Sequence, residues 1–209
     1  MSGLEAQLAR RRELLAAGAR AVGWKVGFGS PEALARLGLE GPLVGFLVDT
    51  ALVEDGAAVS LAGWTRPVLE PEVAVWVGPA ASIAGLGAAI ELADLDVPPD
   101  DPERILAANV YQRHVVLGVR GPALEPAALS ARVTCGGDER LADDVEALTG
   151  RLDEVVAHVA RTLDAAGEEL REGEVVIAGS VVPPLEVRPG DRVRYELKPL
   201  GTLELTLVG

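Results

Sequence analysis

The stretch Leu69-Glu70-Pro71-Glu72-Val73-Ala74-Val75-Trp76 decides how this chain is read. An apolar run from Val68 to Val77 reads as a strand, and alternation along a strand puts Glu70 and Glu72 on one face. Their Cα atoms then lie about 6–7 Å apart, so both carboxylates reach a common point. Pro71 has no N–H for a ladder, so the strand is an edge here or carries a bulge. Two carboxylates in a half-buried strand repel each other and lose hydration, so one takes up a proton unless a cation compensates them. Hard oxygen donors suit Mg²⁺, Mn²⁺ or Ca²⁺ better than zinc. Glu91, between Ile90 and Leu92, is a third carboxylate in an apolar setting and the natural third ligand. The same Glu-x-Glu spacing also occurs on solvated strand faces, and spacing alone leaves both readings open.

Strands are expected on either side of this segment. Before it, Leu4, Leu8 and Leu15 recur at near-helical spacing and mark a helix over 3–17. Trp24 to Phe28 reads as a short strand, and Ser30-Pro31 with Gly38 brackets a helix over 31–37. Val44 to Val48 is another strand. After the pair, residues 79–87 are small and loop-like, and Ile90 to Val97 reads as a strand. Proline-rich 97–102 breaks structure, and a short helix is expected over 103–109. Leu152, Val155, Val156, Val159 and Leu163 form one stripe of a helix over 152–166. Val175 to Val182 is a strand, and 193–197 with 203–207 alternate as a hairpin joined at 198–201. The sum is an α+β chain, and no linker divides its 209 residues.

Bulk properties narrow the function classes. A net charge of −13 argues against a nucleic-acid partner, which needs a basic face. Aromatics at 3% supply few stacking platforms for bases. No run of eighteen apolar residues indicates a membrane span, and the charged segment from Met1 to Arg12 is unlike a signal peptide. A cytoplasmic location is expected, in keeping with the single Cys135.

Several blocks, in order, carry a family resemblance. They are Gly23-Trp24-Lys25-Val26-Gly27-Phe28-Gly29-Ser30, Val44 to Asp49, Leu69 to Ala74, Ala89 to Asp94, Ala108-Asn109 with Leu117-Gly118, and Ile177 to Ser180 with Val187 to Asp191 and Leu200-Gly201. Together they resemble the 2-keto-4-pentenoate hydratase and 4-oxalocrotonate decarboxylase family, within the fumarylacetoacetate hydrolase superfamily. The resemblance implies a mixed β-roll, barrel-like sheet with a few flanking helices. It implies one Mg²⁺ or Mn²⁺ on Glu70, Glu72 and Glu91, with Lys25 and Asp49 as polar catalytic groups and Asn109 near the substrate. It further implies a small 2-oxo acid substrate, a homo-oligomer, and hydration of a 2-hydroxypenta-2,4-dienoate in aromatic-compound breakdown. Decarboxylation of a 4-oxalocrotonate-type acid is the alternative.

The chain departs from the pattern in three ways, one being a short gap between the second and third Glu blocks. It reads as a single catalytic domain over 1–209 with a shortened N-terminal helical part. Where relatives often carry Asp-Asn-Ala-Ser, it has Ala108-Asn109-Val110-Tyr111. These departures motivate a further alternative, a non-catalytic subunit that partners a full-length paralogue. Among other residues, His114 reads as a candidate base or a core histidine. His158 reads as structural. Trp24, Trp64 and Trp76 read as core or as pocket wall.

Overall fold

The computed structural model describes residues 1–209. Two sheets carry the fold. The larger has seven strands: β1 (Ala21–Gly27), β2 (Leu43–Val48), β4 (Pro67–Val77), β5 (Ile83–Asp94), β6 (Gln112–Leu117), β9 (Val175–Ser180) and β10 (Leu185–Glu186). Its order is β2-β1-β9-β4-β5-β6, with β10 continuing beside β4 where β9 stops. The smaller has five: β3 (Ala58–Ser60), β7 (Ser130–Cys135), β8 (Asp138–Ala142), β11 (Arg192–Lys198) and β12 (Gly201–Val208), in the order β3-β12-β11-β7-β8. Pairing is antiparallel except β1 with β9 and β12 with β3. The helices are α1 (Gly3–Ala16), α2 (Pro31–Leu37), α3 (Pro102–Ala107) and α4 (Leu152–Ala165). The larger sheet curls into a half-barrel, which agrees with the expected mixed β-roll.

The local signals account for the helices. Ser2 and Glu5 form a capping box on α1. Ser30 caps α2, which ends at Gly38 in the left-handed region (φ 64°). The apolar stripe of α4 is buried, as its spacing predicts.

Strand β4 sorts its side chains by alternation. Leu69, Val73, Val75 and Val77 enter the main core with Tyr195 and Leu197 of β11, Leu203 and Leu205 of β12, and the stripe of α4. The intervening Glu70, Glu72 and Ala74 face the other side, where Leu47, Ala89, Val115 and Ile177 form a separate apolar group. One face of the larger sheet thus holds the fold together, and the other carries the charged residues.

Two expectations need correction. Residues 83–87 are strand, not loop, and β5 ends at Asp94 short of Val97. The small residues misled because Gly85 and Gly87 are small for packing. A Cβ on Gly87 would lie 2.8 Å from the Trp76 ring and 2.9 Å from the Val119 carbonyl. Strands β6, β7 and β8 were also not anticipated, and β8 is almost wholly exposed, so it has no apolar pattern to read.

Candidate metal centre

Register brings the glutamates together. Glu70 of β4 pairs directly with Glu91 of β5, and Glu72 follows on the same face. One carboxylate oxygen from each of Glu70, Glu72 and Glu91 lies within 4.8 Å of the others. Glu72 and Glu91 are fully buried, and Glu70 is half-buried.

The irregularity anticipated at Pro71 is a bulge in the neighbouring strand. Between the pairs Ala74–Ile177 and Glu72–Ser180, β9 carries one residue more than β4. Gly179 absorbs it at φ 89°, a conformation that suits glycine. The bulge turns the Gly179 N–H onto Glu72 Oε2 at 2.7 Å. The Pro71 carbonyl accepts from Val181, so its missing N–H faces the interrupted side and costs β5 nothing. From the second sheet, the Tyr195 hydroxyl donates to the Glu72 carbonyl at 3.1 Å.

Lys25 joins this group from β1. Its ammonium is buried, donates to Glu91 Oε1 at 2.6 Å and donates to the Val110 carbonyl at 3.1 Å. One glycine makes room for it and another for the turn that binds it. A Cβ on Gly45, directly opposite on β2, would lie 2.9 Å from Lys25 Cγ, and one on Gly27 would lie 2.8 Å from the Val110 side chain. Val110 sits in a left-handed turn, Asn109-Val110-Tyr111, with φ of 54°, 52° and 65°. That region is unusual for a β-branched residue.

The electrostatics follow from burial. Desolvation, reinforced by Glu91 and opposed by Lys25, pushes the Glu70 carboxyl up to about 7. Desolvation, then Glu91 and Glu70, raises Glu72 well above the usual carboxylate range, against Lys25 and the Gly179 N–H. Burial pulls the Lys25 ammonium down, but Glu91, Glu70 and Glu72 together outweigh it and the net direction is up.

A divalent cation fits these residues. Glu72 Oε1 and Glu91 Oε2 are buried with no hydrogen-bond partner, a costly arrangement for a carboxylate. All the donors are hard oxygens, as Mg²⁺ or Ca²⁺ requires.

Asn109 and Asp49 stand differently from the expectation. Asn109 is buried, and its amide is spent locally. It accepts from the Phe46 N–H at 2.8 Å and donates to the Phe46 carbonyl at 3.0 Å and to Gln112 at 3.1 Å. It holds the turn that carries Val110, and neither amide hydrogen is left for a substrate. Asp49 lies just beyond β2, outside the carboxylate group, and accepts from the N–H and the guanidinium of Arg20, both at 2.8 Å. That ion pair is partly solvated. His114 stacks on Trp64 instead of facing the glutamates, and His158 hydrogen-bonds the Pro42 carbonyl.

Sequence reasoning assigned no role to Gly179, Val110 or Tyr195, each of which acts on the site. The first two act through backbone groups, which side-chain chemistry does not reveal. The glycine inside a strand-like run is the one signal the sequence offers.

A curled half-barrel thus carries three convergent carboxylates and a buried lysine on one face. Residues 28–208 match the model for the fumarylacetoacetate (FAA) hydrolase C-terminal family, and the chain belongs to that family. A 4-oxalocrotonate decarboxylase from Pseudomonas sp is 27% identical over 92% of this chain and 80% of its own length. A 2-hydroxyhexa-2,4-dienoate hydratase from Comamonas testosteroni is 31% identical over 91% of this chain and 79% of its own length. Among solved structures, 4-oxalocrotonate decarboxylase from Pseudomonas putida G7, complexed with magnesium and adipate, superposes with a TM-score of 0.89. It is 25% identical over 100% of this chain and 87% of that one. The relatives are hydratases and decarboxylases, the lyase group that the sequence reading expected.

Proposed function

We propose that this chain is a divalent-metal-dependent lyase that hydrates a 2-hydroxypenta-2,4-dienoate-type acid. The observation that carries the reading is the set of three converging carboxylates, two of them with unpartnered buried oxygens, beside a buried ammonium. Glu70, Glu72 and Glu91 hold the cation, with Mg²⁺ or Mn²⁺ as the ion. When bound, it supplies Lewis acidity to the 2-oxo or enol oxygen of the substrate.

The chain's own groups do the rest. Lys25 spends two of its three N–H donors on Glu91 and Val110, and the third is free for the oxygen on which negative charge develops. A donor fixed in advance in a buried site stabilises that charge without reorganisation. Ala74, Ala89, Val115 and Ile177 form the dry surroundings that strengthen this interaction. Asn109 fixes the Val110 turn and so the direction of the Lys25 ammonium. Asp49 is the candidate for proton transfer only if substrate releases it from Arg20. A cytoplasmic homo-oligomer is part of the same proposal.

The test is loss of ultraviolet absorbance of 2-hydroxypenta-2,4-dienoate by the isolated chain with Mg²⁺ or Mn²⁺. Turnover that stops with EDTA and in Glu72→Gln is expected. A folded chain that binds metal without turnover refutes the hydratase reading and leaves action on another 2-oxo acid or the partner-subunit alternative. The high TM-score to a 4-oxalocrotonate decarboxylase favours a second reading, decarboxylation of a 2-oxo dicarboxylate. Release of CO₂ from 4-oxalocrotonate separates the two, because hydration releases none.

A further inference from the structure

We infer that Lys25 is a fourth, charged member of the carboxylate site, whose ammonium makes the site selective for divalent over trivalent cations. The inference rests on the metal-site reading above and concerns which ions the site accepts. Three carboxylates surround the site, and one ammonium lies 2.6 Å from the nearest of their oxygens. With the carboxylates ionised their charges sum to −2, which a divalent ion cancels and a trivalent ion overshoots.

The ammonium is built in. It is 2% exposed, makes two hydrogen bonds, and occupies space left by the absent side chain of Gly45. It interacts electrostatically with all three glutamates, not only with its hydrogen-bonded partner. A buried charge a few ångströms from a bound ion is weakly screened. The extra unit of charge on a trivalent ion meets this repulsion in full. Removing the lysine therefore favours the trivalent ion more than the divalent one, by roughly a few hundredfold for one charge at about 5 Å and an effective dielectric of about 20.

The experiment measures Mn²⁺ affinity by electron paramagnetic resonance and Tb³⁺ affinity by competition against it. It compares the wild-type chain, Lys25→Met, and the double variant Lys25→Met/Glu91→Gln. Each probe's intrinsic preference for carboxylates cancels when one variant is divided by another. In Lys25→Met the Tb³⁺-to-Mn²⁺ affinity ratio should rise at least tenfold. In the double variant, whose charge returns to −2, the ratio should return to within about threefold of wild type even as both ions bind more weakly. If only the double variant folds, a ratio tenfold above wild type overturns the inference and one near wild type supports it. An unchanged ratio in a folded Lys25→Met overturns it while leaving the metal site intact. A wild-type chain that binds neither ion overturns the metal-site reading itself.

Discussion

The two faces of strand β4 differ in what alternate residues are asked to do. On one face, Leu69, Val73, Val75 and Val77 are almost wholly removed from water against the smaller sheet and α4. On the other, Glu70 and Glu72 lie equally close to the strand axis but carry charge that the fold only partly compensates. Burial stabilises the first face and strains the second. The lesson is that one element can pack and bind at once, because a pleat separates the two tasks by a single residue.

Neighbouring substitutions break this comparison most sharply. Glu70→Gln should lower kcat/KM on the dienoate at least a thousandfold, about 4 kcal/mol of transition-state stabilisation. It should raise the melting temperature of the EDTA-treated protein at pH 8, since an amide carries no charge to desolvate. Leu69→Ala should do the reverse. A core truncation of this kind costs about 3 kcal/mol of stability, while kcat per folded molecule stays within about twofold. Denaturant melts and steady-state kinetics on both variants check the pair. Large loss of stability in Glu70→Gln without loss of activity would mean that the charged face is structural.

The pH dependence of the metal-free chain sharpens the same contrast. Glu70 is raised from 4.5 to about 7 in the folded state, so the native chain binds the extra proton between these values. Stability contributed by that proton is present below pH 4.5 and is lost as pH rises toward 7, on the order of 1–3 kcal/mol. Glu72, also raised, extends the loss upward. Saturating Mg²⁺ should remove the decline, so the gain in melting temperature on adding Mg²⁺ should grow from pH 5 to pH 8. Thermal melts with EDTA and with Mg²⁺ give the answer, and a gain independent of pH would contradict the assignment.

How much of this was legible in the sequence follows the same division. Residues that announce themselves by type and spacing were readable: the Glu70-x-Glu72 pair, Glu91 in its apolar run, the caps of α2 and the stripe of α4. Lys25 came only through the family resemblance, because one lysine in a strand looks like any other. Features set by tertiary packing were not readable. Residues 83–87 looked like loop because Gly85 and Gly87 yield space to Trp76 and to the chain at Val119–Gly121. Asp94, which shows no role in the sequence, is buried and accepts from the N–H groups of Thr65 and Arg66.

Glu72 links the two faces, because Gly179 holds its carboxylate and Tyr195, of the smaller sheet, holds its carbonyl. Gly179→Ala forces a side chain into the left-handed region, at about 1–2 kcal/mol, and places a Cβ 3.2 Å from the Thr149 methyl. Mn²⁺ affinity should fall about tenfold as Glu72 loses its fixed orientation. Loss of stability with unchanged affinity would show that the bulge serves packing alone.

The smallest effect is expected at Asp49, and it discriminates most finely. Its carboxylate is held below the ordinary range by hydrogen bonds from the Arg20 backbone and side chain, and the pair is open to solvent. Solvent screens an exposed pair of this kind, so Asp49→Asn should barely move the melting temperature. If Asp49 only ties the start of β1 to the end of β2, kcat also stays within about twofold. A hundredfold fall in kcat at unchanged stability would instead place Asp49 among the proton-transfer groups, which requires the substrate-bound chain to break the Arg20 pair. Combining Asp49→Asn with Arg20→Ala decides between these. If the residue acts only through its ion pair, the double variant is no worse than Arg20→Ala. If the carboxylate itself moves a proton, the double variant is as slow as Asp49→Asn, and Arg20→Ala alone retains activity.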